Sequence, residues 1–232
     1  MSEGRGQDPR QYILQVVATL ALDTSTPDGS VAVRRDGAVV YARGGDLSRP
    51  HGMRLPGEAL AALEACGLTL GDVTLLAVGL GPGPFTGLRV GLATAKGLAH
   101  GLGLPIIGVS TAEALLAGTQ QGSVLLLPAG PSDRLLVRHD TPASLIPAGT
   151  EPDLEPDATI VAVDLADRAT ADEVARGETA RAGLAAALLA IGAGRRAAGA
   201  VDDLARLVPE YVALPRGVWN ESGEVAWSHD RP

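Results

Sequence analysis

The residues with the clearest potential for chemistry lie at positions 79–91 and read Gly-Leu-Gly-Pro-Gly-Pro-Phe-Thr-Gly-Leu-Arg-Val-Gly. A glycine-rich loop that enters a helix can bind an anion, because free amides and the helix dipole both favour negative charge. The segment lacks the Gly-Lys-Ser/Thr of a Walker P-loop and the spacing of the dinucleotide fingerprint. Its two prolines also remove amide donors. The glycine-rich loop before a helix still leaves one hypothesis for this segment, a phosphate contact by Gly81, Gly83 and Thr86, although these two observations weaken it.

The second hypothesis for the same segment rests on small residues at every fourth position, namely Gly87, Gly91, Ala95 and Ala99. Residues four apart lie on one face of a helix, so this stripe lets another backbone approach closely. Glycine inside a helix costs roughly 1 kcal/mol relative to alanine, and two glycines here favour a packing role. The stripe predicts tight contact with the protein's own sheet or with a partner helix.

A further candidate site follows the first predicted strand, where Asp23, Thr24 and Ser25 open a run of turn-forming residues. A carboxylate with neighbouring hydroxyls suits contact with phosphate or with its metal ion. The alternative is that these residues only form a turn, which their types also favour. Both interpretations stay open from the sequence.

No group of residues in the sequence has the types and spacing of a catalytic or metal-binding site. A helical metal site would place a second ligand one turn after His51, but that position is Leu55. A hydrogen bond at the helix entry is the alternative role for His51. Neither a Ser-His-Asp or Cys-His set nor a pair of catalytic carboxylates stands out, so we assign no catalytic residue and no metal ligand.

Composition narrows the class of protein. The formal net charge is −8, which excludes a broad basic surface for nucleic acid. The single cysteine excludes a disulfide framework and is typical of a reducing compartment. No apolar run has the length of a membrane-spanning helix or the form of a signal peptide. We expect a cytoplasmic protein that makes no contact with a membrane.

The elements that must hold these residues follow a mixed α/β order. In the first half we predict strands at 13–22, 30–34, 38–43, 75–78 and 105–109, and helices at 55–66, 86–100 and 111–117. Ser110 and Glu113 have the spacing of a capping box for the last of these helices. Hairpins followed by helical crossovers predict a mixed five-stranded sheet with flanking helices, as in the actin-like fold.

The second half is less regular and looks like a shortened copy of the first. We predict a strand pair at 123–127 and 134–137, a loop at 140–156, a strand at 160–163, helices at 183–191 and 201–207, and a last strand at 211–214. The predicted organisation is a disordered tail at 1–12, half-domains at 13–118 and 119–216, and a loose tail at 217–232.

Several of these segments resemble one known family. Residues 20–26 (Leu-Ala-Leu-Asp-Thr-Ser-Thr), 79–91, 97–99 and 107–111 are similar to TsaB, the dimerisation subunit of the bacterial machinery that makes threonylcarbamoyladenosine in tRNA. The resemblance is dense over residues 18–118 and returns at Pro209-Glu210-Tyr211. It implies the actin-like (ASKHA, ribonuclease H-like) fold in two half-domains, the second one shortened.

The resemblance also implies a function without catalysis. TsaB pairs with the related catalytic subunit TsaD, which transfers a threonylcarbamoyl group to an adenosine beside the tRNA anticodon. The ATPase TsaE joins the assembly, so tRNA and ATP or ADP with Mg²⁺ would act at the level of the complex. The family's pairing surface comes from the first two helices, which here predicts a partner interface at Leu55, Ala59, Leu60, Leu63, Gly87, Arg89, Val90, Gly91, Thr94 and Ala95.

The sequence departs from the family after residue 118, where the usual Asp-Ala-Arg-Arg strand is replaced by Leu-Leu-Leu-Pro-Ala-Gly-Pro at 125–131. Two other functions stay open. One is a small actin-like ATPase or kinase that uses Asp23 and the loop at Gly81, with Gly192-Ala193-Gly194 as its weak adenosine loop. The other is a homodimeric binding protein that pairs through the same helices.

Overall fold

The computed structural model describes residues 17–44, 51–139, 141–155 and 158–211, without the side chains of 51–53 and 142. The strands in these ranges are β1 Ala18–Asp23, β2 Ser30–Arg35, β3 Ala38–Gly44, β4 Val73–Gly79, β5 Ile106–Val109, β6 Val124–Ala129, β7 Asp133–Arg138, β8 Thr141–Ile146 and β9 Ile160–Ala162. The helices are α1 His51–Ala65, α2 Phe85–Leu102, α3 Thr111–Leu116 and α4 Ala171–Ala197. None of the described helices is both long and apolar enough to cross a membrane.

The first sheet has the strand order β3-β2-β1-β4-β5. Antiparallel hairpins join β1, β2 and β3, whereas β1, β4 and β5 are parallel and are connected through helices. Leu20 of the central strand faces Val33 on one side and Leu76 on the other. The predicted mixed five-stranded sheet is therefore confirmed.

Alternation of side chains along these strands supplies two cores, one on each face of the sheet. Leu20, Leu22 and Leu76 belong to the core on which α1 and α2 pack. Ala21, Ala77 and Ile107 belong to the opposite core, which is completed by α3, α4 and strands of the second sheet. Helices α1 and α2 thus lie side by side on the outer face of the first sheet.

The second sheet repeats the first without its fifth strand. Its order is β8-β7-β6-β9, with β6, β7 and β8 antiparallel and β9 parallel to β6. Helix α4 follows β9 as α2 follows β4. This topology confirms that the second half is a shortened copy of the first.

Helix α4 holds the two sheets together. Thr170 caps it and forms a capping box with Glu173. Its buried residues Leu184, Leu188 and Leu189 lie in a core shared with the first sheet and with β6 and β9. Gly177 lies so close to the carbonyl of Ala162 that any side chain there would collide with it. The helix therefore depends on both sheets for burial of its apolar residues.

Several predicted features are wrong or incomplete. Ser110 precedes α3, but its hydroxyl makes no capping bond, because it donates to Glu210 instead. Glu113 pairs with Arg195. The predicted loop at 140–156 contains β8, an edge strand that tolerates its proline. The helix predicted at 183–191 extends over the whole of α4.

The helix predicted at 201–207 is absent, because the backbone of this segment bonds to the first sheet. Asp202 donates its amide to the carbonyl of Ile106 and accepts from the amide of Gly108 through its carboxylate. Of the strand predicted at 211–214, only Tyr211 is described, and it lies in no strand. The tails predicted at 1–12 and 217–232 and the start of the first predicted strand lie outside the described residues.

Two glycines of α4 give a matched test of its packing. Gly177→Ala should lower the free energy of unfolding by about 1–3 kcal/mol, because the new methyl group collides with the Ala162 carbonyl. Gly183→Ala should raise it by up to about 1 kcal/mol, because its new methyl group meets no atom and alanine favours the helix. Equilibrium denaturation by urea measures both changes. Equal stabilities of the two variants would contradict the proposed contact.

Candidate functional site

The loop that leaves β1 is buried and tightly hydrogen bonded. Asp23 is 0% exposed, and Thr24, Ser25 and Thr26 are also buried. The Asp23 carboxylate accepts hydrogen bonds from the Ser25 amide at 2.8 Å, from the Ser25 hydroxyl at 3.0 Å and from the Thr111 hydroxyl at 2.7 Å. Its acceptor capacity is therefore met by the protein itself.

Thr111 joins this loop to the glycine-rich segment. Its hydroxyl oxygen accepts from the Gly81 amide at 3.1 Å, and its own amide donates to the Gly81 carbonyl at 2.6 Å. One side chain thus connects the end of β1, the loop before α2 and the start of α3. The sequence analysis missed this role, since a threonine after a strand has no distinguishing pattern.

The small residues of α2 face inward, against the same loop. A side chain at Gly83 would collide with the backbone of Ser25, and one at Gly87 or Gly91 would collide with Thr24. The Thr24 hydroxyl donates to the Gly87 carbonyl at 2.6 Å. Ala95 and Ala99 continue the stripe into the core beneath. The stripe therefore serves packing within the chain, and the assignment of Gly87, Gly91 and Ala95 to a partner interface is wrong.

Burial raises the pKa of the Asp23 carboxyl above its usual value. The hydrogen bonds from Thr111 and Ser25 act in the opposite direction but do not offset the desolvation. A carboxylate kept away from water in this way is poorly suited to hold a hydrated metal ion.

The space between the two sheets next to this loop is almost closed. The cavity there has a volume of about 40 Å³ and is lined by residues that include Ser25, Gly83, Leu127 and Asp164. Sites for small molecules usually measure about 300–1,000 Å³. A nucleotide does not fit, and the amide of Gly81 is already bonded to Thr111. The geometry thus argues against the predicted phosphate contact by Asp23, Thr24, Ser25, Gly81 and Gly83; Thr86 lies exposed outside this network.

Two other features considered in the sequence also fail to form a ligand site. Gly192 is buried in α4 against Ala77, so Gly192-Ala193-Gly194 is part of a helix and not an adenosine loop. Within the described residues, no group of three His, Cys, Asp or Glu side chains comes together to hold a metal ion. The side chain of His51 lies outside the described part of the chain.

An arginine closes the cleft between the sheets. Arg181 of α4 donates to Asp164, after β9, at 2.8 Å and pairs with Asp28, in the β1–β2 turn, at 2.9 Å. Burial raises the pKa of Asp164, and the neighbouring Arg181 partly offsets that effect. This bridge ties the first sheet to the second at the edge where a cleft would have to open.

The predicted partner residues divide between the inside and the outside of the molecule. Those on the inside are Leu55, Ala59, Leu63, Gly87, Gly91 and Ala95. Leu60 is 49% exposed and Arg89 is exposed, while Val90 and Thr94 are half-buried. Because buried residues offer no surface to a second protein, only these last four can form part of a partner interface.

Their neighbours on the helices complete an exposed surface that we call the α1–α2 face. It consists of Gly57, Leu60, Ala61 and Glu64 of α1 and of Val90, Ala93, Thr94 and Gly97 of α2. Both sets follow helical spacing, so each forms one continuous face. A Cβ atom added at Gly57 or Gly97 would meet no atom of the described residues. The face is nearly uncharged and built of small residues, which suits close approach of another helix.

The chain returns to the first sheet through residues 200–211, which we call the C-terminal strap. Besides the bonds of Asp202, the Glu210 amide donates to the Leu80 carbonyl at 2.8 Å, and the Lys96 ammonium donates to the Leu207 carbonyl at 3.0 Å. The strap covers the outer edge of β5, which would otherwise be free to pair with another strand. It ends beside the start of α2, where the Tyr211 hydroxyl accepts from Arg89.

Parts of this chain are similar to known proteins. The family model described as "TsaD: tRNA N6-adenosine threonylcarbamoyltransferase" matches residues 45–150. An uncharacterized protein from Mycobacterium tuberculosis is 40% identical over 116 residues, 49% of this chain and 54% of that protein. The tRNA threonylcarbamoyladenosine biosynthesis protein TsaB from Escherichia coli is 43% identical over 99 residues, 43% of this chain and 42% of that protein.

A further relative and a solved structure are also similar to this chain. TsaB from Bacillus subtilis is 33% identical over 109 residues, 47% of this chain and 48% of that protein. YeaZ from Pseudomonas aeruginosa has the same fold, with a TM-score of 0.63 and 22% identity over 84% of this chain and 100% of that one. This chain spans about half the length of the curated relatives that it matches. The resemblance to TsaB proteins is thereby confirmed over somewhat less than half of this chain.

The buried carboxyl group makes a testable contribution to stability. Because its folded pKa is raised, Asp23 favours the folded state below its unfolded pKa, and this contribution is lost as the pH rises through the folded pKa. Asp23→Asn removes that titration. The free energy of unfolding of the variant, relative to the original chain, should therefore increase between about pH 4 and about pH 8.

Urea denaturation of both proteins across this pH range measures the difference. Replacing the Asp23 carboxyl by an amide also changes its hydrogen bonds, but this changes the free energy of unfolding by an amount that does not vary with pH. The pH dependence of the difference between the two proteins therefore reports the titration of Asp23. A difference that does not vary with pH, or that falls as pH rises, would contradict a raised pKa for Asp23.

Proposed function

We propose that this chain, which is similar to TsaB proteins over somewhat less than half of its length, is the non-catalytic partner subunit of a TsaD-type tRNA threonylcarbamoyltransferase. In this role it would bind and support the catalytic subunit while that subunit modifies an adenosine beside the tRNA anticodon. The observation that carries the proposal is the contrast between a closed cleft and an open outer surface. The cavity between the two sheets beside the Asp23 loop measures only about 40 Å³, whereas the α1–α2 face is exposed.

The α1–α2 face supports pairing through its shape. Helices that approach closely need small residues at the contact, and Gly57, Ala61, Ala93 and Gly97 are the small exposed residues here. Glycine at an exposed helix position is unfavourable for the isolated helix by roughly 1 kcal/mol. Neither Gly57 nor Gly97 packs against a neighbouring atom of this chain, so contact with a second protein gives both glycines a physical reason.

The match to the TsaD family model supports the choice of partner. The matched residues, 45–150, contain both helices of the α1–α2 face. Two related chains can pair by placing the same helices of each against those of the other, in a nearly twofold arrangement. The same geometry would let the isolated chain form a homodimer, which would then compete with TsaD for one surface.

The charge of the chain supports an indirect role towards RNA. A net charge of −8 opposes binding to phosphates, so we propose that tRNA is held by other parts of the complex. ATP or ADP with Mg²⁺, and the ATPase subunit TsaE, would likewise act at the level of the assembly, in the cytoplasm.

Two exposed helix glycines provide a matched test of the pairing surface. Gly97→Leu should weaken the association with TsaD by at least about tenfold, because the new side chain stands between the helices and TsaD. Gly194→Leu in α4 adds the same side chain at an equally open position away from the face and should leave the affinity unchanged. Isothermal titration calorimetry with purified TsaD measures both affinities.

The two variants should fold as well as the original chain, since both positions are exposed and a Cβ added at either one meets no atom of the described residues. Absence of any complex between the original chain and TsaD would refute the proposed function. An equal loss of affinity in both variants would show that the contact with TsaD is not specific to the α1–α2 face. Gly91→Leu is not a suitable probe, because it would collide with Thr24 inside the chain.

The ATPase alternative makes the opposite prediction about nucleotides. If the cleft is closed by Thr24, Ser25 and the Arg181 bridge, the isolated chain should release no heat of binding with ATP and Mg²⁺ in calorimetry. Tight binding with turnover of ATP by the isolated chain would favour the kinase or ATPase reading over the partner role.

A further inference from the structure

Arg89 is an exposed side chain that is nevertheless held in a fixed geometry. Its guanidinium carbon lies 3.9 Å from the centre of the Phe85 ring. Its Nε donates to the Tyr211 hydroxyl at 3.1 Å. The Phe85 and Tyr211 rings lie 5.2 Å apart at an angle of 33°. Phe85 thus supports the guanidinium through its ring and Tyr211 through its hydroxyl, while the Arg89 side chain stays exposed.

The second aromatic residue is brought to Arg89 from the opposite end of the described chain. Tyr211 terminates the C-terminal strap, which is bound to the first sheet through Asp202, Leu207 and Glu210. Ordering an arginine side chain opposes folding by up to about 2 kcal/mol in lost conformational freedom. An arginine that is already ordered in the free chain loses less freedom when it binds an anion.

No anion in the described part of the chain accounts for this arrangement. Among the residues that the structure describes, no carboxylate lies within ion-pair distance of Arg89. Arg89 also lies in the second turn of α2, near the positive end of the helix dipole, where a cation is disfavoured. Both facts favour the arrival of a negative group from outside.

Arg89 is continuous with the α1–α2 face. It precedes Val90 directly and stands one helical turn before Ala93, both of which belong to that face. The four residues that α2 contributes to the face carry no charge. Arg89 is therefore a fixed cation at the edge of a nearly neutral contact surface.

We propose that Arg89, held by Phe85 and Tyr211, is a preorganised fork that binds a carboxylate side chain of TsaD when TsaD docks on the α1–α2 face. The inference rests on the proposed function and adds to it a specific recognition chemistry. A guanidinium can donate two parallel hydrogen bonds to one carboxylate, which fixes orientation as well as affinity. Tyr211 acts as a positioning residue through its hydroxyl. A net charge of −8 favours a protein carboxylate over an RNA phosphate as the anion.

The test compares four variants in calorimetric titrations with TsaD. Arg89→Gln should weaken pairing by about ten- to a hundredfold, because charge and fork are both lost. Arg89→Lys should recover only part of this loss, since an ammonium keeps the charge but not the paired hydrogen bonds. Tyr211→Phe should weaken pairing by about two- to fivefold by releasing the Nε bond. Arg196→Gln, an exposed arginine of α4, is the control and should change nothing.

The salt dependence separates an ionic anchor from a general loss of fit. Between about 50 and about 300 mM NaCl, the affinity of the original chain should fall more steeply than that of Arg89→Gln. Equal slopes together with equal affinities would overturn the inference while leaving the proposed function intact. Failure of the original chain to bind TsaD at all would instead refute the proposed function.

A third measurement tests the RNA alternative. Should Arg89→Gln pair normally with TsaD but reduce the affinity of the assembled complex for tRNA in filter binding, the anion would be a phosphate and the inference would be wrong. The alternative outcome supports a carboxylate of TsaD as the anion. In that case Arg89→Gln pairs more weakly with TsaD, but the complex that it forms at saturating TsaD binds tRNA with unchanged affinity.

Discussion

The contact between the loop after β1 and the glycines of α2 determines what this molecule can do. Thr24 and Ser25 occupy the space left free by Gly83, Gly87 and Gly91, and a larger residue at any of the three would collide with the loop. The hydroxyl of Thr111 then bonds the same loop to Gly81. Polar groups that could have served a phosphate are thus paired with one another in the interior.

The second sheet and α4 strengthen this closure. Helix α4 buries its apolar residues against both sheets, and its Arg181 bridges Asp28 on one side of the cleft and Asp164 on the other. Opening the cleft would expose that shared core and separate the bridge. Beside this closed cavity, the exposed surfaces that the proposed function uses lie on α1, on α2 and at the end of the C-terminal strap.

Much of the fold could be predicted from the sequence, because it depends on local patterns. The buried strand at β1, the turn formers after it and the helical spacing of α1 and α2 were sufficient to predict the mixed sheet with its flanking helices. Residues 201–207 were predicted as a helix from their apolar spacing. That prediction failed because local spacing does not reveal that Asp202 bonds to β5. The edge strand β8 was missed because its proline and polar neighbours favour a loop.

The site was harder to predict than the fold. A four-residue period identifies which residues share a helix face but not what that face contacts, so Gly87, Gly91 and Ala95 were assigned to a partner although they face Thr24 and the core. The roles of Thr111, Arg181 and Tyr211 depend on contacts between distant parts of the chain. Such contacts leave no local pattern in a single sequence.

The central claim is that the chain acts through its outer helices while its cleft stays closed. Hydroxyl-radical footprinting of the chain with and without TsaD tests this most directly, because Leu60 on the α1–α2 face and Leu145 on β8 are 49% and 50% exposed and should react alike in the free chain. We expect TsaD to protect Leu60 and to leave Leu145 unchanged. Protection of Leu145 with unchanged reactivity at Leu60 would contradict the account.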